Sequence, residues 1–197
     1  MNRRIGLRSG LLLALLASGA RADEQLNLPT GEDWQQVSTL ATPSLRRAVF
    51  AIPVSEEIVD TLSLEWFATT LATDLDPIEV AALLADGLRE GCEDGSDQPV
   101  FSGYENGYPT TVRLMTCPRT RGRETGELMM VKVVQGRAGH WTVVRSRQLP
   151  AFTGDARAPV EEEVVARWSL AMRSIQLCDT EAPDAHPCPE APSEATP

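Results

Sequence analysis

The sequence predicts an α+β domain, in which two main helices pack on one antiparallel sheet built of hairpins and disulfide bonds cross-link the chain. Three observations predict this class. Two stretches have the apolar spacing and the end signals of helices. Turn residues separate runs of strand-forming residues that follow one another closely, as in hairpins. The four cysteines form an even set in a chain that begins with an export signal.

Residues 1–22 have the composition of that export signal. Arg3, Arg4 and Arg8 precede the apolar run LLLALLASGA, and small residues lead up to Ala22. The run is shorter than the ~20 residues that span a bilayer, and no cysteine stands at the cleavage point to carry a lipid. We therefore expect a periplasmic or secreted protein, cleaved near Ala22, without a stable membrane anchor. A twin-arginine signal is the less favoured interpretation of the paired arginines.

The remaining chain is long enough for one domain with a proper core, predicted over residues 23–178. The tail at 179–197 is rich in proline, alanine and acids, and we expect it to be mostly disordered. Without the four leader arginines, 14 basic residues face 28 acidic ones, a net charge of −14. Such a surface repels nucleic acid and anionic lipid. The acidity serves either solubility or attraction to a basic partner.

The segment LDPIEVAALLADGLREGC, residues 75–92, predicts the first helix. Asp76 is placed to cap it, Pro77 suits its first turn, and Glu79 completes a capping box. Cys92 continues the apolar spacing of this helix, so its sulfur is expected to point toward the core. The apolar residues expected on the same face are Val80, Leu84 and Leu88.

The pair Asn106–Gly107 predicts a hairpin, because both central residues of a type I′ turn need positive φ. A two-residue turn there makes the numbers of facing residues sum to 213. Phe101 then faces Val112, a sensible cross-strand pair, and Asp97 faces Thr116.

Four cysteines allow three disulfide pairings, and the absence of any CxxC pair disfavours redox or zinc chemistry. The hairpin register puts Cys117 opposite Ser96, a short loop away from Cys92. We therefore predict a Cys92–Cys117 bridge, which leaves Cys178 with Cys188. Each bridge is expected to contribute roughly 2–4 kcal/mol.

Other apolar runs predict strands at residues 46–54 and 62–72, and a second hairpin that turns at 136–139. The last helix is expected to begin near Pro159, with three glutamates at the positive end of its dipole. Pro109 suggests that its end of the first hairpin lies at a sheet edge. The apolar stripe predicted for the last helix consists of Val164, Trp168, Ala171, Met172 and Ile175.

Two resemblances accompany this prediction. By analogy of fold alone, such a domain resembles the PsbP and Mog1 proteins, which bind other proteins. The short motifs NGYP, CPR and TGE, followed by a lysine-containing strand that ends in glycine, resemble a family of small secreted proteobacterial proteins without an assigned activity. That second resemblance spans about residues 46–150; it implies export and a stapled hairpin, and brings no catalytic residue.

The sequence offers little for catalysis. The two histidines, His140 and His186, have no spacing typical of a triad or a zinc hydrolase, and no GxSxG, HExxH or phosphate-binding glycine loop occurs. We expect His140 to be an ordinary surface residue at the start of a strand. Acid pairs such as Asp60 with Glu65, or the pair 56–57, have the residue types for sugar hydrolysis, but 28 acids guarantee such pairs by chance. No catalytic residue, metal or cofactor is predicted.

Two surface segments are candidate binding sites. Tyr104 and Tyr108 flank the Asn-Gly turn and either form an aromatic contact or only cover the sheet end. Arg119, Arg121 and Arg123 alternate, which in an extended segment puts them on one side. There they would grip a carboxylate or phosphate, or else balance nearby acids in a solvated turn. The two segments belong to opposite ends of the hairpin.

These observations favour a non-enzymatic exported accessory domain that binds another envelope protein, and the acidity would suit a basic one. The first alternative is an inhibitor or immunity-type protein against a basic envelope enzyme, for which the acidity would provide attraction. The second alternative is a small hydrolase or ligand carrier whose site comes from residues far apart in sequence.

Overall fold

The computed structural model describes residues 24–27, 34–53, 59–68, 75–154 and 158–188. The expected leader, the acid pair 56–57 and the tail after residue 188 lie outside these residues.

Eleven strands and two helices are present in the described residues. Seven of the strands form one antiparallel sheet in the order β2-β3-β4-β10-β9-β7-β6, while β1 pairs with β11 and β5 with β8. The fold class predicted from the sequence is therefore confirmed. The elements are β1 (Glu24–Asn27), β2 (Gln35–Ala41), β3 (Leu45–Pro53), β4 (Val59–Ala68), α1 (Pro77–Gly91), β5 (Cys92–Glu93), β6 (Ser96–Glu105), β7 (Tyr108–Cys117), β8 (Arg119–Thr120), β9 (Thr125–Gln135), β10 (Gly139–Pro150), α2 (Glu162–Ser174) and β11 (Gln176–Asp179).

The two helices lie on opposite faces of the sheet, called here the α1 face and the α2 face. Side chains alternate between faces along a strand, and β9 shows this clearly. Val131 and Val133 pack with α1, whereas Leu128 and Met130 pack with α2. The central strands therefore carry apolar side chains on both faces, and each helix covers one of the two hydrophobic cores.

The capping box of α1 is confirmed. The Glu79 amide donates to Asp76 Oδ1 at 2.9 Å, and the Asp76 amide donates to Glu79 Oε2 at 2.8 Å. The expected apolar face is only partly correct. Val80 is buried together with two alanines, but Leu84 remains 39% exposed. The small alanines let the helix approach the sheet closely, which leaves the longer Leu84 side chain at the flank.

The hairpin register is correct from the turn as far as Phe101, which faces Val112. Beyond that point it shifts by one residue, so that Asp97 faces Met115 and not Thr116. The shift lies next to Pro99, which lacks the N–H that a regular ladder requires. A turn residue can fix a register only until a bulge interrupts the strand.

The edge position expected for Pro109 is corrected by the topology. Its strand, β7, lies inside the sheet between β6 and β9, and β6 forms the edge. The pairing of β7 with β9 begins at Thr110, so Pro109 precedes the ladder. Its missing N–H therefore removes no hydrogen bond between β7 and β9.

Both expected disulfides are present: Cys92 with Cys117, and Cys178 with Cys188. The first joins the end of α1 to the end of β7. The last helix ends earlier than its apolar stripe predicted, at Ser174, because the following residues form β11 and pair with β1.

Part of the expected tail is packed against the first hairpin. The Asn106 amide donates to Leu177 O at 2.8 Å and to Pro187 O at 3.1 Å, and the His186 ring lies 4.2 Å from that of Tyr108. The folded part of the chain thus extends to Cys188, ten residues past the domain boundary inferred from composition.

Candidate functional site

The two tyrosines at the hairpin tip do not form one surface. Tyr104 is 74% exposed and faces Pro109, whereas Tyr108 is 4% exposed beneath the His186 ring. Burial raises the pKa of the Tyr108 phenol well above its usual value, and the charges of Glu24 and Asp179 raise it further. Only Tyr104 remains available for contact with another molecule.

The three arginines after the hairpin do not lie along an extended segment. The chain turns at Gly122, which has φ of +72°. Arg119 is paired with Glu124 at 2.9 Å, and the Arg121 guanidinium donates to Glu90 O at the end of α1. The alternation therefore does not place the three side chains on one side. Arg119 and Arg121 already serve contacts within the chain, and Arg123 is exposed.

The histidines have structural surroundings. His140 is fully buried, not at the surface as expected; it stacks on Phe67 and its Nε2 donates to Leu75 O at 3.0 Å. Burial lowers the pKa of this imidazole. His186 packs on Tyr108, as described above. No group of three or more histidine, cysteine or acidic side chains able to hold a metal ion occurs in the part of the chain that the structure describes.

The acid pair proposed for hydrolysis is split by the sheet. Asp60 lies on the α2 face and binds the Arg147 guanidinium at 2.5 and 2.8 Å. Glu65 lies on the other face, where it pairs with Arg47 at 2.7 Å. Two carboxylates on opposite faces cannot flank one glycosidic bond.

A hollow of about 280 Å³ lies beside the hairpin tip, between Tyr108, Arg137 and His186. Its one guanidinium already binds Glu24 and Asp179, at 3.3 and 2.5 Å. The hollow therefore lacks an uncommitted charge with which to select a ligand.

A second hollow, the α1 groove, lies between α1 and the sheet. It arises because α1 packs over β7 and β9, and the leucines on the flank of the helix lie beside strand surface that the helix does not cover. Its volume is about 220 Å³, and Leu84, Leu88, Met129 and Val144 are each only partly buried. The lining consists of Leu84 and Leu88 from α1, Met115 from β7, Glu127, Met129 and Val131 from β9, and Val144 from β10.

Glu127 is the one charged residue in this lining. It begins the row of β9 side chains that face the groove, opposite Cys117 and next to the Cys92–Cys117 bridge. The Ser146 hydroxyl donates to its carboxylate, and Thr61 Oγ1 lies 2.7 Å from that hydroxyl. Burial raises the pKa of Glu127, and the Ser146 hydrogen bond offsets part of this effect. Among the described residues, no basic side chain forms an ion pair with it.

The raised pKa of Glu127 predicts a pH signature in stability. Its stabilising contribution is complete below the unfolded-state value of 4.5 and is lost as pH rises through the higher folded-state pKa. Replacement of Glu127 by glutamine keeps the shape and removes the titration. We therefore expect E127Q to gain stability relative to the native protein as pH rises above 4.5, in urea unfolding measured at several pH values.

The matched control is Glu124→Gln, because the Glu124 side chain is 84% exposed. Its stability should follow that of the native protein across the same pH range. Parallel profiles for E127Q and the native protein would show that the Glu127 carboxyl is not held in a desolvated site.

Sequence patterns alone do not mark this groove. The run ELMMVKVVQ predicted a strand, and the alternation in it places Glu127 and Met129 on the same face. The one indication in the sequence was this alternation, which puts a single acid in a row of apolar side chains. The alternation does not show where α1 packs, and the position of α1 decides whether that row is covered by the helix or exposed to solvent.

No protein-family model matches the chain, and no curated protein matches it. Among solved structures, it is similar to LpqN, a protein involved in cell envelope biogenesis of Mycobacterium tuberculosis. The two share 14% identity with a TM-score of 0.37, over 78% of this chain and 82% of that one. Neither helix in the described residues is long and apolar enough to cross a membrane.

Proposed function

We propose that the protein is an exported, non-enzymatic accessory domain that binds another envelope protein through the α1 groove. The observation that carries the proposal is an apolar hollow beside a helix with partly exposed leucines at its rim. Leu83, on the same helix, adds a further side chain that is mostly exposed. Exposed apolar side chains beside an apolar hollow are typical of sites where proteins meet.

The size of the groove favours a protein side chain over a free ligand. Small-molecule sites usually measure about 300–1,000 Å³ and enclose most of the ligand. The α1 groove holds about 220 Å³ and is open to solvent along its rim. It therefore suits a single anchoring side chain from a larger surface, which is how interface hot spots are built.

Two features support action outside the cytoplasm. The described residues contain two disulfides and no free cysteine, and such bridges persist in oxidising compartments. The basic and apolar start of the chain, with small residues up to position 22, supports cleavage and release into the periplasm or beyond.

An inhibitor or immunity role is the second candidate, and the acidity favours it. A chain with 28 acidic and 18 basic residues attracts a cationic enzyme at long range. This candidate differs from a general accessory role in its salt response. Affinity for the partner should fall steeply between low and high ionic strength if the partner is a basic enzyme.

The proposal predicts which surface change abolishes partner binding. The mature chain, with its disulfides intact, is immobilised and challenged with an envelope extract, and bound proteins are quantified by mass spectrometry. Replacement of Leu84 by lysine puts a long, positively charged side chain at the rim of the groove near Glu127. We expect it to reduce recovery of the stoichiometric partner at least about 10-fold, because the new side chain can cover the apolar lining that the partner would contact, and its charge is costly to bury under a partner.

Two control variants locate the effect. Leu170→Lys introduces the same charge at a 67% exposed position of α2, on the opposite face, and should retain the partner. Tyr104→Ala tests the hairpin tip. Retention of the partner by L84K would rule out the groove, and its loss from the Tyr104 variant alone would assign binding to the tip. Recovery of no partner under any salt condition would contradict a protein-binding role and favour a hydrolase or carrier.

A further inference from the structure

We propose that the α1 groove takes one lysine side chain of the partner protein, with the aliphatic stem along the apolar lining and the ammonium on the Glu127 carboxylate. This inference rests on the proposed function and names the chemistry of the same site. The inference specifies the residue of the partner that is recognised, a lysine, where the acidity of the chain indicates only that the partner is basic.

The shape of the groove matches an amphipathic side chain. Met129 and Val131 follow Glu127 on the same face of β9, so apolar surface continues for about 13 Å along the strand from the carboxylate. Leu84 and Leu88 border the same row from the helix. A lysine buries its methylene stem along apolar surface while its charged end seeks a polar partner.

Glu127 has unused capacity to accept hydrogen bonds. A carboxylate offers about four lone-pair sites, and within the described residues the Ser146 hydroxyl is its one side-chain donor. The partial burial that raises its pKa marks a carboxylate that has lost part of its hydration, and within the described residues no counter-ion replaces it. An ammonium that arrives in the groove would supply the missing charge, which favours its binding over that of a neutral group.

The groove discriminates lysine from arginine by the number of donors. An ammonium is a compact charge with three donors, whereas a guanidinium carries five in a rigid plane. Glu127 and the surrounding apolar atoms cannot satisfy five donors, and each donor left unpaired in a buried place is unfavourable.

A second copy of this chain cannot supply the lysine. Lys132 is the single lysine in the sequence, and it is fully buried on the α2 face. The occupant must therefore come from a different protein, which agrees with a binding role and not with self-association.

The test uses small probes that isolate this chemistry. Binding of n-hexylammonium, n-hexanol and n-hexylguanidinium to the disulfide-intact mature protein is followed by NMR, through the shifts of Leu84, Leu88 and Val144. We expect hexylammonium to shift these signals with saturation, and hexanol to bind at least about 10-fold more weakly, because a hydrogen bond to a charged group is worth more than a neutral one. Hexylguanidinium should also bind more weakly than hexylammonium.

Variants identify the carboxylate. E127Q should weaken hexylammonium at least about 10-fold and leave hexanol unchanged, while E124Q, with an exposed acid outside the groove, should bind like the native protein. Equal affinity for hexanol and hexylammonium, or hexylammonium binding unaffected by E127Q, would overturn the proposal. Tighter binding of the guanidinium would assign the site to arginine instead.

These outcomes are separate from those of the capture experiment. Absence of any probe in the groove would refute lysine recognition, yet loss of the partner from L84K would still establish the groove as the protein-binding surface. Conversely, probe binding without any captured partner would leave an ammonium site and refute the protein-binding role.

Discussion

Replacement of Lys132 by methionine is expected to lower the free energy of unfolding by about 3–5 kcal/mol. The Lys132 ammonium is completely buried, donates to Met172 O at 2.8 Å and to Ile175 O at 2.6 Å, and forms an ion pair with Glu105. Methionine fills similar space but leaves a mostly buried carboxylate without a counter-ion. It also leaves two carbonyls at the end of α2 without a donor, where a cation is favoured by the helix dipole.

The effect is measured by urea unfolding, in which a lower midpoint at an unchanged slope reports lost stability. The control is the double variant K132M/E105L, which removes both charges. Replacement of a whole buried ion pair by apolar groups is often close to neutral, so the double variant should recover most of the loss. If K132M lowers the free energy of unfolding by less than about 1 kcal/mol, the Glu105 carboxylate becomes hydrated in the variant and does not remain buried.

Replacement of Trp168 by alanine is the second large effect, also expected at about 3–5 kcal/mol. Trp168 is completely buried at the centre of the core between α2 and the sheet. The guanidinium carbons of Arg145 and Arg147 lie 5.2 and 5.9 Å from its ring, within cation–π distance. Alanine would leave a cavity and remove the apolar surface on which both arginines rest.

The matched control is Leu170→Ala on the same helix. Leu170 is mostly exposed, so its replacement should change stability by less than about 0.5 kcal/mol in the same denaturant experiment. Both variants change one helical residue to alanine, so helix propensity is closely matched between them. A Trp168 variant as stable as the Leu170 variant would mean that the core collapses around the missing ring at little cost.

Interactions between residues close in sequence were predictable because each depends on a few neighbouring atoms. The capping box at Asp76 and Glu79 needs only one helical turn, and the Asn106–Gly107 turn needs only two residues with positive φ. The register of the hairpin followed from that turn as far as the bulge beside Pro99. Beyond the bulge the predicted register was off by one residue, which is too small a shift to move Cys117 away from the end of the first helix, so both disulfides were still predicted correctly.

The candidate site was not predictable in this way, because it depends on how separate elements pack. The sequence singled out Tyr108 as a contact residue, but the return of the chain to Cys188 covers it with His186. No sequence motif distinguishes Glu127, since it stands at the charged end of an ordinary strand. Its significance appears only when α1 packs beside it.

The sequence by itself determined the α+β class, the two hairpins, the start of the first helix and the pairing of the cysteines, because these follow from backbone geometry and from contacts between near neighbours. Only the tertiary structure decided which apolar side chains stay open to solvent. The alanines of α1 bring that helix close to β7 and β9 and leave Leu84 at its flank beside Glu127. The position of a helix on a sheet depends on packing between surfaces that are far apart in sequence, so no local sequence pattern predicts it.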